Sequence, residues 1–531
     1  MAKILFISLN DINATGIRTM SSVLKQKGHE SHIVFLQKNG FPATKTRRYA
    51  KVSRVIEDDD WVGIDKYGRD FSYAKGPKLN DFEKKSLIAL IPEISPDVIG
   101  ISVTTPNKKR AIEVSDLLKK NYPSIVLIWG GPHPTIQPED ALNYCDFACV
   151  GEGEKTILEI ADKIDKKEDL NPVNNLCYLK DNLLTKNPLY PPIKDLDELP
   201  FKDILPTNKY LIEKNLLIRN FNGFNHSNHY HILTSRGCPF ACSYCFEEFF
   251  RRLYSNEKFL RRRSPANVIM ELKAAREKID FKIVHFEDEI FSLDLNWLWE
   301  FKELYKKEID LPFICYIYGL GGIDEQLKIL KEMGLFSTCL ALQSGSERIN
   351  RDIFNRYFRK EEYVETAKML KLLKIGFYVD VITYNPIENE QDLQCTLEVL
   401  SRLPKPFDVC INHLYILEGL KIKTSIENYK NEEKPPNETF NYYCRLFWLT
   451  MTNRGQKILN LIKEKRIFRN HPFLITCLYV TIVLLPKRIN SIYLKSIDRR
   501  IGMMGIFLNK NFPRLYSLLR KLKNGVRWKI I

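Results

Sequence analysis

The chain has 531 residues, enough for two or three domains that each bury a hydrophobic core. Its net charge is +16, but residues 451–531 carry 18 Lys and Arg against two acidic residues, so residues 1–450 are neutral and a generally basic, nucleic-acid-coating protein is excluded. Twelve scattered cysteines and a strand-like segment directly after Met1, with no secretory signal, predict a reducing, cytoplasmic compartment rather than a disulfide framework.

Residues 1–167 alternate strand-like and helix-like segments, which is typical of an α/β, doubly wound, Rossmann-like sheet. The predicted strands are 3–9, 32–36, 98–103, 125–129 and 147–150, and a polar insertion spans about 38–80. Ligands of such sheets lie beyond the carboxyl ends of the strands. Two glycine-bearing loops, which begin at Gly130 and Gly151, fall at that edge.

Residues 168–228 are predicted to be a linker with proline-marked turns, and residues 229–420 alternate strands and helices again. The predicted strands of this second series are 231–235, 282–286, 313–318, 337–342, 377–382 and 408–413. Six βα units are too few for a closed eightfold barrel, so we expect a partial barrel with its site at the carboxyl ends of the strands.

Residues 421–531 are predicted to form a basic, mainly helical region, which includes the most apolar stretch of the chain, 473–485. At about 13 residues this stretch is shorter than the roughly 20 that a helix needs to cross a bilayer. It is either a buried helix or a membrane-surface segment with basic flanks. The second interpretation, supported by the basic and leucine-rich segment 514–529, predicts peripheral contact with the inner face of the membrane and a lipid or membrane-near substrate.

Three cysteines, Cys238, Cys242 and Cys245, follow the first predicted barrel strand within eight residues. Thiolates at this spacing can wrap around one cubane iron–sulfur cluster and leave its fourth iron without a protein ligand. An open iron can bind a small molecule and pass it an electron. The motif therefore predicts a cluster that activates a ligand.

The alternatives for this triplet are a zinc site and structural cysteines. Structural zinc takes four closed ligands, and no second close Cys/His pair accompanies the motif. His226, His229 and His231 are near in sequence, but we expect them on the wrong side of the strand.

The triplet, with Tyr244 before its last cysteine, resembles the signature of the radical S-adenosylmethionine (SAM) superfamily, Cys-x3-Cys-x2-Cys after the first strand of a partial barrel. The resemblance implies a 4Fe-4S cluster on the three cysteines and SAM bound to the open iron. It also implies reductive cleavage of SAM to a 5′-deoxyadenosyl radical that abstracts hydrogen from an unreactive carbon, and an electron donor such as flavodoxin or ferredoxin.

The same resemblance implies the SAM contacts. Tyr244 would lie against the adenine, and the carboxylates of Glu287, Asp288 and the adjacent Glu289 would hold the methionine amino group. Gln343 with Ser344 would match the ribose-contacting segment. A solvated acidic turn is the alternative for the acidic residues, and a plain turn is the alternative for Gln343 and Ser344. Asp380 and Asn385 are weaker candidates, because the segment from Tyr384 departs from the Gly-Leu-Pro-Gly loop of the family.

The two glycine loops of the first domain resemble the N-terminal domain of cobalamin-dependent radical SAM enzymes, and with the cysteines the resemblance covers about residues 1–420. Glycines let the backbone approach a flat corrin, and hydroxyl side chains can bind it. The residues that we expect to contact cobalamin are Ser102, Thr104, Gly130, Gly131, His133, Gly151 and Glu152. His133 is expected to be structural rather than a cobalt ligand, and we expect no histidine below the cobalt.

A second cluster on Cys145, Cys149 and Cys177, as methylthiotransferases have in their N-terminal domain, is disfavoured because the glycine loops favour cobalamin.

We therefore predict a cobalamin- and SAM-dependent enzyme that methylates an unactivated carbon, or phosphorus, of a small-molecule or lipid substrate, with no nucleic acid as partner. One alternative uses the same cofactors without methyl transfer, for cyclisation or oxidation. An alternative of another class is a corrinoid-binding or sensing protein with a catalytically idle barrel.

Overall fold

The computed structural model describes residues 1–37, 62–64, 70–72, 79–213, 215–223, 228–254, 259–291, 293–414, 416–429 and 436–479. Most of the predicted insertion at 38–80 lies outside the described residues. His226, the apolar stretch beyond residue 479 and the basic segment 514–529 lie outside them as well.

The first half of the chain is built on a nine-stranded sheet. Its elements are β1 (Lys3–Leu9), α1 (Thr15–Gln26), β2 (Glu30–Gln37), the short pair β3 (Val62–Ile64) and β4 (Asp70–Ser72), α2 (Asp81–Ile94), β5 (Val98–Ser102), α3 (Lys108–Asn121), β6 (Val126–Gly130), α4 (Pro132–Ile136), α5 (Pro138–Ala141), β7 (Phe147–Cys149), α6 (Glu154–Lys166), β8 (Leu176–Lys180), β9 (Leu183–Lys186), β10 (Lys209–Glu213) and β11 (Leu216–Arg219). The strand order is β11-β10-β2-β1-β5-β6-β7-β8-β9, and all pairs from β10 to β7 are parallel.

The central strand β1 is apolar on both faces because helices cover both sides of the sheet. Leu5 and Ile7 belong to one hydrophobic cluster, and Ile4 and Phe6 belong to the other. This arrangement confirms the predicted doubly wound fold.

Residues 168–228, which we expected to be a linker, supply four strands of this sheet. Two antiparallel hairpins, β8-β9 and β10-β11, extend the parallel strands at the two edges. The turn between β8 and β9 is Asp181-Asn182, and both residues have positive φ (52° and 61°). A two-residue turn of this kind is a hairpin signal, so the sequence carried information that the proline-marked turns obscured.

The second half is a six-stranded parallel sheet, which confirms the predicted partial barrel. Its elements are β12 (His229–Ile232), β13 (Ser235–Arg236), α7 (Phe246–Leu253), β14 (Arg261–Arg262), α8 (Pro265–Arg276), β15 (Ile283–Phe286), α9 (Leu295–Glu308), β16 (Phe313–Ile317), α10 (Asp324–Met333), β17 (Leu335–Gln343), α11 (Lys360–Leu372), β18 (Gly376–Thr383), α12 (Glu390–Arg402) and β19 (Asp408–His413). The barrel order is β12-β15-β16-β17-β18-β19, and β13 with β14 forms a separate ribbon.

The described C-terminal region is helical, as expected, and packs on the barrel. It consists of α13 (Lys421–Glu427), α14 (Asn437–Thr450), α15 (Asn453–Ile462), α16 (Arg466–Asn470) and α17 (Phe473–Leu478). Leu474, Ile475 and Leu478 are buried in the same hydrophobic cluster as the barrel strands, so this part of the apolar stretch is a buried helix. Within the described residues, no helix is both long and apolar enough to span a bilayer.

Candidate functional site

The predicted cluster ligands lie in the loop between the β13 strand and α7. Cys242 is buried, Cys238 and Cys245 are half-buried, and all three are free thiols. Burial, followed by Glu289 and the Cys242 thiol, raises the pKa of Cys238 to about 12. Thiols in such a place ionise when a metal supplies the positive charge, so the donor set fits an iron–sulfur cluster.

The loop that carries the cysteines is held by close backbone packing. Gly237 has φ +91°, and a Cβ at this position would lie 2.5 Å from the carbonyl oxygen of Phe259. From α7, Arg251 donates hydrogen bonds to the carbonyls of Cys238 and Phe240. Glycine is therefore required at residue 237, and Arg251 ties the loop to α7.

Two carboxylates face the cysteine loop. Glu289 lies in a crevice: its side chain reaches solvent, but protein atoms surround it. This partial burial raises the pKa of Glu289. Burial, with the nearby Glu289, raises the pKa of Glu247 to about 7, and Glu247 Oε2 has no hydrogen-bond partner in the described structure. An enclosed pair of carboxylates beside the cysteines suits a cationic ligand such as an ammonium group.

The acidic segment 287–289 therefore divides into three roles. Asp288 is buried and accepts hydrogen bonds from the backbone and hydroxyl of Thr234 and from the Ser235 hydroxyl. Glu287 Oε1 lies within hydrogen-bond distance of His231 Nδ1, at 2.6 Å. Glu289 is the carboxylate of this segment that lies near the cysteines; SAM contact by Glu287 and Asp288 stays a prediction.

Gln343 ends β17 in a left-handed conformation, with φ 63°. Its Oε1 is buried and has no hydrogen-bond partner among the described residues. Ser344 is fully buried, and its Oγ lies 3.5 Å from Thr396 Oγ1 and accepts from the backbone of Ser346. Gln343 thus has an acceptor available for a ligand hydroxyl, whereas Ser344 shapes the turn.

Aromatic rings flank the cysteine loop. Tyr244 packs edge-on against Phe354 with ring centroids 4.7 Å apart, and Phe240 stacks on Tyr318 at 4.3 Å. The guanidinium of Arg356 lies 3.9 Å from the centroid of the Tyr318 ring. These contacts fix the wall of the crevice, and the predicted contact of Tyr244 with adenine stays a prediction.

The weaker candidates on strand β18 and its loop are engaged within the protein. Asp380 accepts a hydrogen bond from Cys339 Sγ at 3.1 Å, and burial raises its pKa. Asn385 Oδ1 accepts from the backbone of Ile387, while its Nδ2 is buried without a partner in the described structure.

The predicted cobalamin edge lies where β5 and β6 end side by side. Ser102 pairs with Gly130 in register, and a Cβ on Gly131 would lie 3.1 Å from the carbonyl of Val103. Near this edge, Thr15 Oγ1 at the start of α1 is buried without a partner among the described residues. The edge fits a polar ligand that approaches the backbone closely, and Thr104 lies on the same loop.

His133 is buried, and both of its ring nitrogens are engaged. Nε2 lies 2.8 Å from Asp140 Oδ2, and Nδ1 lies 3.2 Å from Thr105 Oγ1. Burial lowers the pKa of His133. This environment stabilises the loop and leaves no ring nitrogen directed to a cobalt ion.

The second glycine loop joins the two domains. Glu152 forms ion pairs with Arg236 (3.2 Å) and Arg261 (2.8 Å), and Glu154 pairs with Arg236. Gly151 has φ +87°, and a Cβ there would overlap the hydroxyl of Tyr254 at the end of α7, so the position favours glycine. Direct contact of Glu152 with cobalamin would require these ion pairs to open.

The three cysteines considered for a second cluster lie in the hydrophobic interior. Cys145 and Cys177 are buried, and Cys145 Sγ donates to the carbonyl of Ala141. Burial raises the pKa of Cys145 and Cys149 to about 12.

Comparison with known proteins identifies both domains. The family model of the B12 binding domain matches residues 4–161, and that of the radical SAM superfamily matches residues 232–400. An uncharacterized methyltransferase of Pyrococcus horikoshii is 26% identical over 361 residues, which are 66% of this chain and 72% of the relative. The anaerobic magnesium-protoporphyrin IX monomethyl ester cyclase of Rubrivivax gelatinosus is 27% identical over 306 residues, or 55% of this chain and 52% of the relative.

A solved structure has a similar fold across both domains. The cobalamin-dependent SAM radical enzyme OxsB, with aqua-cobalamin and SAM bound, is similar with a TM-score of 0.60 and 15% identity, and the match covers 94% of this chain and 75% of OxsB.

Proposed function

Since the chain belongs to the cobalamin-dependent radical SAM enzymes, we propose that it methylates an unactivated carbon, or phosphorus, of a small-molecule or lipid substrate. The junction between the domains supports this most directly. Arg236, two residues before the first cluster cysteine, forms ion pairs with Glu152 and Glu154 at the carboxyl edge of the B12-binding sheet. A junction of this kind holds the cluster loop close to the predicted cobalamin edge. Methyl transfer that uses both SAM and cobalamin requires the two cofactors to lie close together.

The methyltransferase relative aligns over a larger share of this chain than the cyclase does, 66% against 55%. That difference favours methyl transfer over the alternative without it.

In this proposal the side chains of the site have separate tasks. Cys238, Cys242 and Cys245 hold the cluster, Glu289 with Glu247 binds the ammonium group of SAM, and Gln343 accepts a hydrogen bond from a ribose hydroxyl. When bound, the cluster and SAM supply a carbon-centred radical, and cobalamin supplies a transferable methyl group. An electron donor such as flavodoxin or ferredoxin is part of the proposal.

Anaerobic reconstitution of the full chain tests the cofactor assignment. We expect one 4Fe-4S cluster and one corrinoid per chain, and cleavage of SAM to 5′-deoxyadenosine in the presence of a strong reductant. Cys238→Ala should abolish cleavage and retain the corrinoid, because the cysteine lies in the other domain. A fully loaded wild-type protein that cleaves no SAM would overturn the proposal in favour of the corrinoid-sensing alternative.

We also propose that the basic C-terminal region brings the site to an anionic lipid surface. The net charge of residues 451–531 supports this proposal. Sedimentation with liposomes at low salt should be stronger for anionic than for neutral lipid. Equal sedimentation with both would contradict it.

A further inference from the structure

Three histidines come together on the first two strands of the barrel. His229 and His231 lie on β12 and His285 lies on β15, where it pairs in register with His231. One ring nitrogen of each residue lies within 4.8 Å of those of the other two. The ring centroids of His231 and His285 are 4.9 Å apart, and His229 lies 6.2 Å and 6.5 Å from them.

The three imidazoles face the interior of the barrel. Alternate residues of a strand point to opposite faces of a sheet. The alternate residues that are buried in the hydrophobic cluster beneath the outer helices are Tyr230, Ile232, Val284 and Phe286. The half-buried histidines therefore point the other way, into the space that the six strands enclose.

The surroundings of the cluster suit a metal ion. Glu287 Oε1 lies 2.6 Å from Nδ1 of His231, and a carboxylate on one ring nitrogen orients an imidazole so that its other nitrogen, Nε2, can coordinate a metal ion. Nε2 of His285 is buried without a hydrogen-bond partner in the described part of the chain.

We propose that His229, His231 and His285 bind a divalent transition-metal ion, with zinc as the ion that a three-histidine set suits best. Three protein ligands leave one position of a tetrahedral ion open. This position faces the barrel interior, where it can bind an oxygen atom of a substrate. The site is separate from the cluster cysteines and does not depend on the proposed methyl transfer.

Zinc analysis of the reconstituted holoprotein tests the site, because the cluster then occupies the competing cysteines. We expect about one zinc per chain after dialysis against excess zinc. X-ray absorption at the zinc edge should show nitrogen neighbours at about 2.0–2.1 Å with imidazole scattering, rather than sulfur at about 2.3 Å.

Single substitutions identify the ligands. His285→Phe and His229→Gln should each weaken zinc binding at least tenfold with unchanged iron content. His413→Gln is the matched control, because His413 is also half-buried at the barrel but stacks on Tyr384, with 4.0 Å between ring centroids, and should bind zinc as the wild type does. If a variant fails to fold, the wild-type scattering still decides the question. Wild-type protein that retains no zinc, or zinc with sulfur neighbours only, would overturn the proposal.

Discussion

Replacement of Arg236 by alanine should lower the free energy of unfolding, because it removes ion pairs between the two domains. The side chain of Arg236 is 23% exposed, and its partners Glu152 and Glu154 are 10% and 7% exposed. Loss of one partner from a buried ion pair costs about 3–5 kcal/mol, because the remaining charges stay buried without compensation. Glu152 keeps Arg261, so we expect the lower end of this range, about 3 kcal/mol.

For a domain of this size, about 3 kcal/mol lowers Tm by roughly 6–12 °C. Differential scanning fluorimetry under anaerobic conditions measures this shift. The matched control is Arg219→Ala, since Arg219 pairs with Glu93 at 2.7 Å on the surface, where both side chains are about half exposed. Such a pair contributes at most about 1 kcal/mol. Equal Tm shifts for the two variants would refute the assignment of the second glycine loop to a domain junction.

Three further outcomes follow from single groups. Burial alone would raise the pKa of Glu152, but Arg236 and Arg261 outweigh it, so this pKa is lowered in the folded protein. The stabilisation that the Glu152 carboxylate gives the folded protein is therefore complete above the ordinary glutamate pKa of about 4.3. It is lost as the pH falls through the lowered pKa of the folded state. Arg236→Ala should reduce the loss of unfolding free energy between neutral and acid pH. The same loss in the variant and the wild type would contradict this prediction. Gln343→Leu should weaken SAM binding about tenfold at unchanged iron content, whereas Gln343→Glu should bind SAM as the wild type does. Equal SAM affinity of the wild type and both variants in equilibrium dialysis would exclude the proposed ribose contact. Gly237→Ala should abolish iron binding, because the new Cβ would meet the Phe259 carbonyl. Gly322→Ala is the control: its φ is +78°, but no atom lies within 4 Å of the new Cβ, so this variant should keep its iron despite about 1–2 kcal/mol of backbone strain. Iron analysis that finds a cluster in both variants would contradict this prediction.

Local sequence signals predicted the order of the elements well. The apolar pattern of a strand acts over a few residues, so β1 and β19 have the predicted bounds. The first barrel strand was predicted two residues too late, at 231–235, because it begins at His229. Polar residues at its start hid a strand whose alternate side chains face the barrel interior.

The parts of the site that sequence did not reveal depend on contacts between distant segments. Three adjacent acidic residues follow β15, but only the folded chain shows that Asp288 accepts hydrogen bonds from Thr234 whereas Glu289 remains exposed to solvent. The pairing of Arg236 with Glu152 joins residues from different domains. His285 meets His231 through strand register, so the sequence, in which we set His229 and His231 aside from the cysteine site, did not indicate a third histidine beside them.

The central claim is that this chain transfers the methyl group of SAM to a substrate. Its most direct test is incubation of the anaerobic holoenzyme with reductant, SAM that carries a trideuterated methyl group, and a small-molecule and lipid extract of the source cells. We predict a product that gains one intact trideuterated methyl group while 5′-deoxyadenosine accumulates. Formation of 5′-deoxyadenosine with a changed substrate that contains no label would contradict methyl transfer.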